Sequence, residues 1–312
     1  MDITKFIVDY RESAFLLGSY DTYRAQLSRR LQTLRKKLGR ATPKNGKYSS
    51  KAPVTAEEIG ANKEYGFSSV HRQVVANPRR FLHLLLLTSE RAWAHAMVMK
   101  AAHSEDNANK SITGSTRQHL LSRLHKAIKH AEEMVALVSD RAASGATDVD
   151  VLEAKAYAYS LAGAAAFEKQ AEGIQPSDAS SSRWKSCLVN YSAARVIYTA
   201  LLKTTKKELF KEFLVTAVDP GIRYAAYQYR IPRTVGVPAV SQKFFPKEDA
   251  ELVQAVEKLD ADALREEEPT SSGMLHASAP SLSQAALTVD QERPSRGEVA
   301  RQILLTPRLA KL

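Results

Sequence analysis

The chain has 312 residues, 44% of them apolar, with 45 Lys and Arg against 34 Asp and Glu for a net charge of +11. That length supports a sizeable core in one or two domains, and a lone cysteine, Cys187, excludes an intrachain disulfide framework or a cysteine-rich zinc site. No signal-peptide pattern is visible and the longest apolar run, around Leu84 to Leu87, is too short for a bilayer, so a cytosolic or nuclear protein is expected.

The charge is unevenly spread. Residues 248–312 hold 12 acids and 7 bases, net −5, which leaves +16 for residues 1–247. A basic binding domain followed by a mildly acidic tail is expected.

Residues 3–18 carry Ile3, Phe6, Ile7, Tyr10, Ala14 and Leu17 at helical spacing, and Gly18-Ser19 closes that helix. Asp21 is placed to cap the next. From Tyr20 to Lys51, ten cations face one acid, Asp21: Arg24, Arg29, Arg30, Arg35, Lys36, Lys37, Arg40, Lys44, Lys47 and Lys51. Within it Tyr20, Tyr23, Leu27, Leu31, Leu34 and Leu38 recur every three or four residues, one narrow apolar stripe on a helix. Arg24 and Arg35 flank that stripe on one side and Arg30 and Lys37 on the other, while Arg29 and Lys36 point away. A solvated basic face is the ordinary reading of such a run. Against it stand the missing i+4 acids and the prominence of arginine, whose planar fork grips phosphate. The run also continues past Gly39 into a Pro/Gly/Ser/Lys loop. A polyanion, with nucleic acid foremost, is the expected partner of this helix.

Thr55-Ala-Glu-Glu has the form of a capping box. Residues 60–78 are mixed and end at Asn77-Pro78, with further positive charge at His71, Arg72, Arg79 and Arg80. Residues 79–102 form a strong helix whose centre is apolar nearly all round, so burial on several sides is expected, with Trp93 in the core. Residues 103–116 are a loop. Residues 117–139 are the next helix, with Leu120, Leu121, Leu124, Ile128, Ala131, Val135 and Val138 inward. Arg123, Lys126 and His130 share its outward face, with Arg117 and Lys129 nearby, a second wall for one groove beside the first basic helix.

Paired helices follow at 150–170 and 182–203, with Gly163, Ala165 and Ala194 allowing close approach, loosely like tetratricopeptide units. A last pair is expected at 205–217 and 219–231, broken at Asp219-Pro220, with Tyr224, Tyr227 and Tyr229 packed on the preceding pair. A base-stacking platform is the minority reading of those tyrosines. Residues 233–247 hold prolines and little periodicity, residues 248–266 form an acidic amphipathic helix, and residues 267–300 are Ser/Pro/Glu-rich. The fold class is therefore all-α: antiparallel helix pairs stacked in a tetratricopeptide-like bundle or solenoid, with a basic N-terminal helix. The domains are 1–232, helical, and 233–312, a linker and mostly flexible acidic tail.

No catalytic constellation is present, and no cofactor is implied. Gly39 to Lys47 lacks P-loop spacing, and Gly66-Phe67-Ser68-Ser69-Val70 lacks the trailing glycine of a nucleophile elbow. His119, His125 and His130 sit in no HExxH frame. Asp148 and Asp150 are expected as capping residues, and Cys187 as a small core residue.

Several words in the sequence resemble one family. Tyr23-Arg24-Ala-Gln-Leu-Ser28-Arg29-Arg30-Leu-Gln-Thr-Leu34-Arg35-Lys36-Lys37-Leu38 resembles the arginine-rich helix of the sixty-eight-kilodalton subunit family of the eukaryotic signal recognition particle. Ser89-Glu90-Arg91-Ala92-Trp93-Ala94-His95-Ala96-Met97, the run from His119 to Glu133, and Pro220-Gly221-Ile222-Arg223-Tyr224-Ala225-Ala226-Tyr227 resemble further segments of it, in the family's order over about residues 10–230. The resemblance implies a non-enzymatic RNA-binding scaffold that clasps and remodels the three-way junction of the particle's 7S RNA, its arginine-rich helix in the major groove. Carried over by residue, Arg24, Arg29, Arg30, Arg35, Lys36 and Lys37 match that helix, and Arg123, Lys126 and Lys129 the later basic helix. It also implies a seventy-two-kilodalton partner bound through a C-terminal region not represented here, and ribosome and receptor contacts in the assembled particle. A cytoplasmic location follows, with a nucleolar assembly stage and association with the endoplasmic reticulum without membrane insertion. The alternatives are a helical-repeat adaptor whose basic patch serves nuclear import or an acidic protein and, more weakly, a protein of anionic membrane surfaces.

Overall fold

The computed structural model describes residues 3–16, 19–42, 53–56, 58, 79–104, 114–170 and 183–265, which lie in one compact unit, Met1–Glu267. The helices are α1 (Ile3–Leu16), α2 (Tyr20–Lys37), α3 (Arg79–Ser104), α4 (Gly114–Ser139), α5 (Asp148–Gln170), α6 (Lys185–Thr205), α7 (Glu208–Phe213), α8 (Asp219–Gln228), α9 (Val237–Phe244) and α10 (Ala250–Leu259). A single helical turn, Arg141–Ser144, joins α4 to α5. No strand occurs among the described residues, and the fold is all-α, with stacked helix pairs. Each of α2 to α6 packs chiefly on its neighbours in sequence: α2 on α3, α3 on α4, α4 on α5 and α5 on α6.

The apolar stripe of α2 becomes a seam. Tyr23, Leu27 and Leu31 are buried against Leu84, Leu87 and Ala94 of α3, with Leu34 and Leu38 partly covered. The cap is Ser19, whose Oγ accepts from the Thr22 amide at 3.2 Å; Asp21, expected there, instead pairs with Arg24 at 2.8 Å. Gly39 adopts φ +66°, the left-handed conformation that ends a helix without Cβ strain. Helix α3 is apolar all round because it is shared. Leu84 and Leu87 face α2, Leu82 and Leu86 face the main core, and Ala96 belongs to a third cluster with Leu120 and Leu124 of α4.

The main core runs from Ile3 and Ile7 of α1 through α4, α5 and α6 to α10. Cys187 is buried in it, and that burial pushes its thiol up to about 12, so it is an inert core residue. Asp150 caps α5 as expected, its Oδ2 accepting from the Thr147 amide at 3.0 Å, whereas Asp148 bridges Arg141 and Lys258 instead.

The last elements depart from expectation. Asp219-Pro220 breaks nothing: α7 runs into α8 through a π turn, Leu214–Val218, with the Asp219 amide donating to Leu214 O. Proline lacks the N–H for the Thr216 carbonyl and its ring crowds that oxygen, and one widened turn accommodates both. Residues 233–247 contain α9, with Pro238 in its first turn, where the missing N–H is harmless. Val240, Phe244, Leu252 and Val256 of α9 and α10 are buried in the main core. Of the three tyrosines, Tyr224 meets the preceding pair as expected, its ring 5.2 Å from Phe167 and 5.4 Å from Trp184, whereas Tyr229 packs on Phe244 of α9 at 5.2 Å and Tyr227 is 57% exposed.

Candidate nucleic-acid interface

Helices α2 and α4 both pack on α3, and a groove of about 1530 Å³ lies between them. One wall carries Arg35 and Lys36 from α2, the other His125, Lys126, Lys129 and His130 from α4, and the floor carries Arg91 from α3. A smaller recess of about 290 Å³ adjoins it, lined by Arg24, Arg91, His95, Arg123 and Lys126. Two basic stretches about ninety residues apart in sequence thus form facing walls.

The cations are poorly neutralised. Among the described residues, no carboxylate lies within ion-pair distance of Arg35, Lys36, Arg91, Lys126 or Lys129. Burial first, and then the charges of Arg35 and Arg123, pull the Arg91 pKa below its ordinary value. His95 is likewise lowered, by burial and then by Arg24, Arg123, His119 and Arg91, and so is neutral near pH 7. Arg123 donates from Nε to His119 Nε2 at 3.1 Å, and the His119 ring lies 5.9 Å from that of His95. A site that depresses the pKa of its own bases is a site for anions.

The other cations of the arginine-rich helix point elsewhere. Arg29 and Lys37 are exposed outside the groove lining. Arg30 lies with its guanidinium 3.6 Å from the centre of the Tyr10 ring, tying α2 to α1. Arg40 lines the groove but places Nη2 2.7 Å from both oxygens of Glu58. Glu58 is itself the acid of the expected capping box, accepting from the Thr55 amide at 3.1 Å. Arg79 and Arg80 open α3, though their side chains, like Lys44, Lys47 and Arg72 altogether, lie outside the described residues.

Beneath the groove a buried carboxylate holds α2 in place. Glu90, with no exposed surface, accepts from Arg11 Nε at 3.0 Å and Nη2 at 2.8 Å, from Tyr23 Oη at 2.8 Å and from Tyr157 Oη at 2.7 Å. These donors come from α1, α2 and α5, so one carboxylate on α3 joins four helices. Burial opposes the Arg11 charge, but Glu90 outweighs it and raises the guanidinium above its ordinary pKa. Burial and then the Glu90 charge raise Tyr23 and Tyr157 well above theirs, keeping both as donors. Trp93, expected in the core, is half-buried beneath Arg11, whose guanidinium sits 3.6 Å from its ring centre.

A family model described as RNA-binding signal recognition particle 68 matches residues 15–285. This chain belongs to that family. It is 28% identical over 214 residues to the Drosophila melanogaster signal recognition particle subunit SRP68, covering 67% of this chain and 29% of that protein. To the Dictyostelium discoideum SRP68 subunit it is 26% identical over 220 residues, 69% of this chain and 30% of the other. The chain therefore spans about 30% of the length of these curated relatives. A solved structure of the SRP68-RBD from Chaetomium thermophilum is 45% identical and superimposes with a TM-score of 0.60, covering 78% of this chain and 96% of that one. Within the SRP68 family fold, Arg91 and Glu90 are the residues that periodicity and charge counting passed over. Their signal lay in the Ser89–Met97 segment that resembles the family, where an acid and an arginine follow the apolar centre of α3.

Proposed function

We propose that this chain binds the RNA of the signal recognition particle as a scaffold subunit, seating its α2–α4 groove at the three-way junction and remodelling it. The observation that carries this reading is the convergence of unneutralised cations from three helices on one groove. A regular A-form major groove is too deep and narrow for side chains, so a junction that opens the groove is the form of RNA this helix fits. There Arg35, Lys36, Arg91, Lys126 and Lys129 would take phosphates, with Arg24 and Arg123 in the adjoining recess. Arg29 and Lys37, on the outer circumference of α2, would meet the opposite wall of the opened RNA. Residues 1–232 form the binding unit in this reading, with α9 and α10 bracing it. Assembly with a seventy-two-kilodalton subunit, and through it support of co-translational targeting at the endoplasmic reticulum, belongs to the same proposal.

The experiment compares junction RNA, plain duplex and heparin in filter binding with two charge reversals. Arg35→Glu with Lys36→Glu, and separately Lys126→Glu with Lys129→Glu, should each abolish tight junction binding while the helical circular-dichroism signal stays unchanged. Wild-type affinity in either variant, or equal affinity for junction and heparin, defeats the assignment.

A further inference from the structure

Helix α8, packed on α5 and α6, presents a second basic and aromatic surface. We infer that it is a separate RNA contact, one that takes unpaired nucleotides by stacking on Tyr227. The Tyr227 ring is 57% exposed, with the Arg233 guanidinium 5.3 Å from its centre. Arg223 lies one turn earlier on the same face, and Arg230, at φ +63°, turns the chain back beside it. The helix below is fixed: Tyr224 packs on Phe167 at 5.2 Å and on Trp184 at 5.4 Å. Exposed Arg183 and Lys185 flank Trp184 at the start of α6. Two of the nearby carboxylates are engaged, Asp219 by Arg195 at 3.0 Å and Glu168 by Lys100 at 2.5 Å, and Glu212 lies in the cleft on the Tyr224 side.

An open phenol ring among cations suits a nucleobase with its phosphates. Stacking needs only a π-face and tolerates any base, while the arginines meet the backbone charge. An acidic peptide would satisfy the charge but has no use for the open ring. The surface shares no residue with the α2–α4 groove, so it stands or falls independently of the junction assignment.

The test uses the full chain carrying Arg35→Glu and Lys36→Glu, which takes the groove out of account, and a fluorescently labelled ten-nucleotide oligouridylate read by anisotropy. Tyr227→Phe should bind as the parent does, and Tyr227→Ala should bind at least about fivefold more weakly. Arg223→Ser with Arg233→Ser should weaken binding and flatten its salt dependence. Tyr227 is a surface residue, so these variants should keep the parent's circular-dichroism spectrum. Unchanged affinity in Tyr227→Ala overturns the inference, as does competition by polyglutamate equal to that by unlabelled oligouridylate. Failure of the groove reading would show instead as intact junction binding in the Arg35→Glu, Lys36→Glu parent, leaving the Tyr227 comparison readable.

Discussion

Glu90 shows how one side chain can decide whether a binding surface exists. A carboxylate with no solvent contact is tolerable only when its lone pairs are occupied, and here one bidentate guanidinium and two phenols occupy them. Glu90→Gln keeps the shape but leaves Arg11 buried without a counter-charge. Urea denaturation should show it less stable by about 3–5 kcal/mol. Tyr23→Phe removes one donor and should cost about 1–3 kcal/mol by the same measurement. None of this was legible beforehand, because the partners of Glu90 lie 67 and 79 residues away and a lone acid on a helix has no pattern. His95 carries a second residue-scale consequence. Its pKa is depressed in the free protein, so acid below its ordinary value of about 6.5 charges the unfolded form more readily and lowers stability. Bound phosphate would reverse the field, raise the pKa and draw in a proton. Junction affinity should therefore strengthen as pH falls from 7.5 to 6, and the part lost in His95→Gln, measured across that range, is the share of His95 among the groove histidines.

At the scale of elements, periodicity was a good guide wherever a helix buries a stripe. The seam of α2 onto α3, the all-round burial of α3 and the inward face of α4 follow directly from residue spacing. Legibility failed where a proline sits in a first turn, as in α9, or where a π turn absorbs one, as before α8. The first read as an aperiodic linker and the second as a break, because the missing N–H is visible in sequence and the compensating geometry is not. The small residues of α5 were legible as close-approach positions, but their partner was not. Tyr191 of α6 lies between two glycines, so that a Cβ on Gly163 would come 2.7 Å from its ring and one on Gly221 2.6 Å. That ring is buried in the main core, so it must shift for a Cβ to fit. Gly163→Ala should lower stability by about 1–3 kcal/mol in thermal or urea unfolding, despite the better helix propensity of alanine. Gly163→Ala combined with Tyr191→Leu should recover part of that loss, since the clash is with the ring.

For the whole molecule, the stack of helices converts two separated basic stretches into one field. The wall from α4, taken alone, departs little from an ordinary solvated helix face, and the wall from α2 shows Arg35 without a facing carboxylate among the described residues. What distinguishes the pair is the shared floor: α3 sets the spacing of α2 and α4, and Arg91 rises between them where its own charge is disfavoured by its neighbours. A surface so arranged is strained electrostatically until an anion arrives, and it should be governed by counterion release. The six groove cations, counting Arg40 once Glu58 lets it go, should contribute about −4 to −5 to the log–log salt slope, with the recess and the outer face of α2 adding to it. Affinity for junction RNA should then fall by about three orders of magnitude between 50 and 200 mM salt. Each of Arg35→Ala, Lys36→Ala, Arg91→Ala, Lys126→Ala and Lys129→Ala should reduce that slope by about one, whereas Arg30→Ala, whose guanidinium lies over Tyr10 outside the groove, should change it by less than half as much. The contrast between Arg30 and Arg35 is the sharpest form of the claim. Both are arginines of one helix five residues apart, and if their slopes change equally, the net charge of the helix binds RNA and the groove does not.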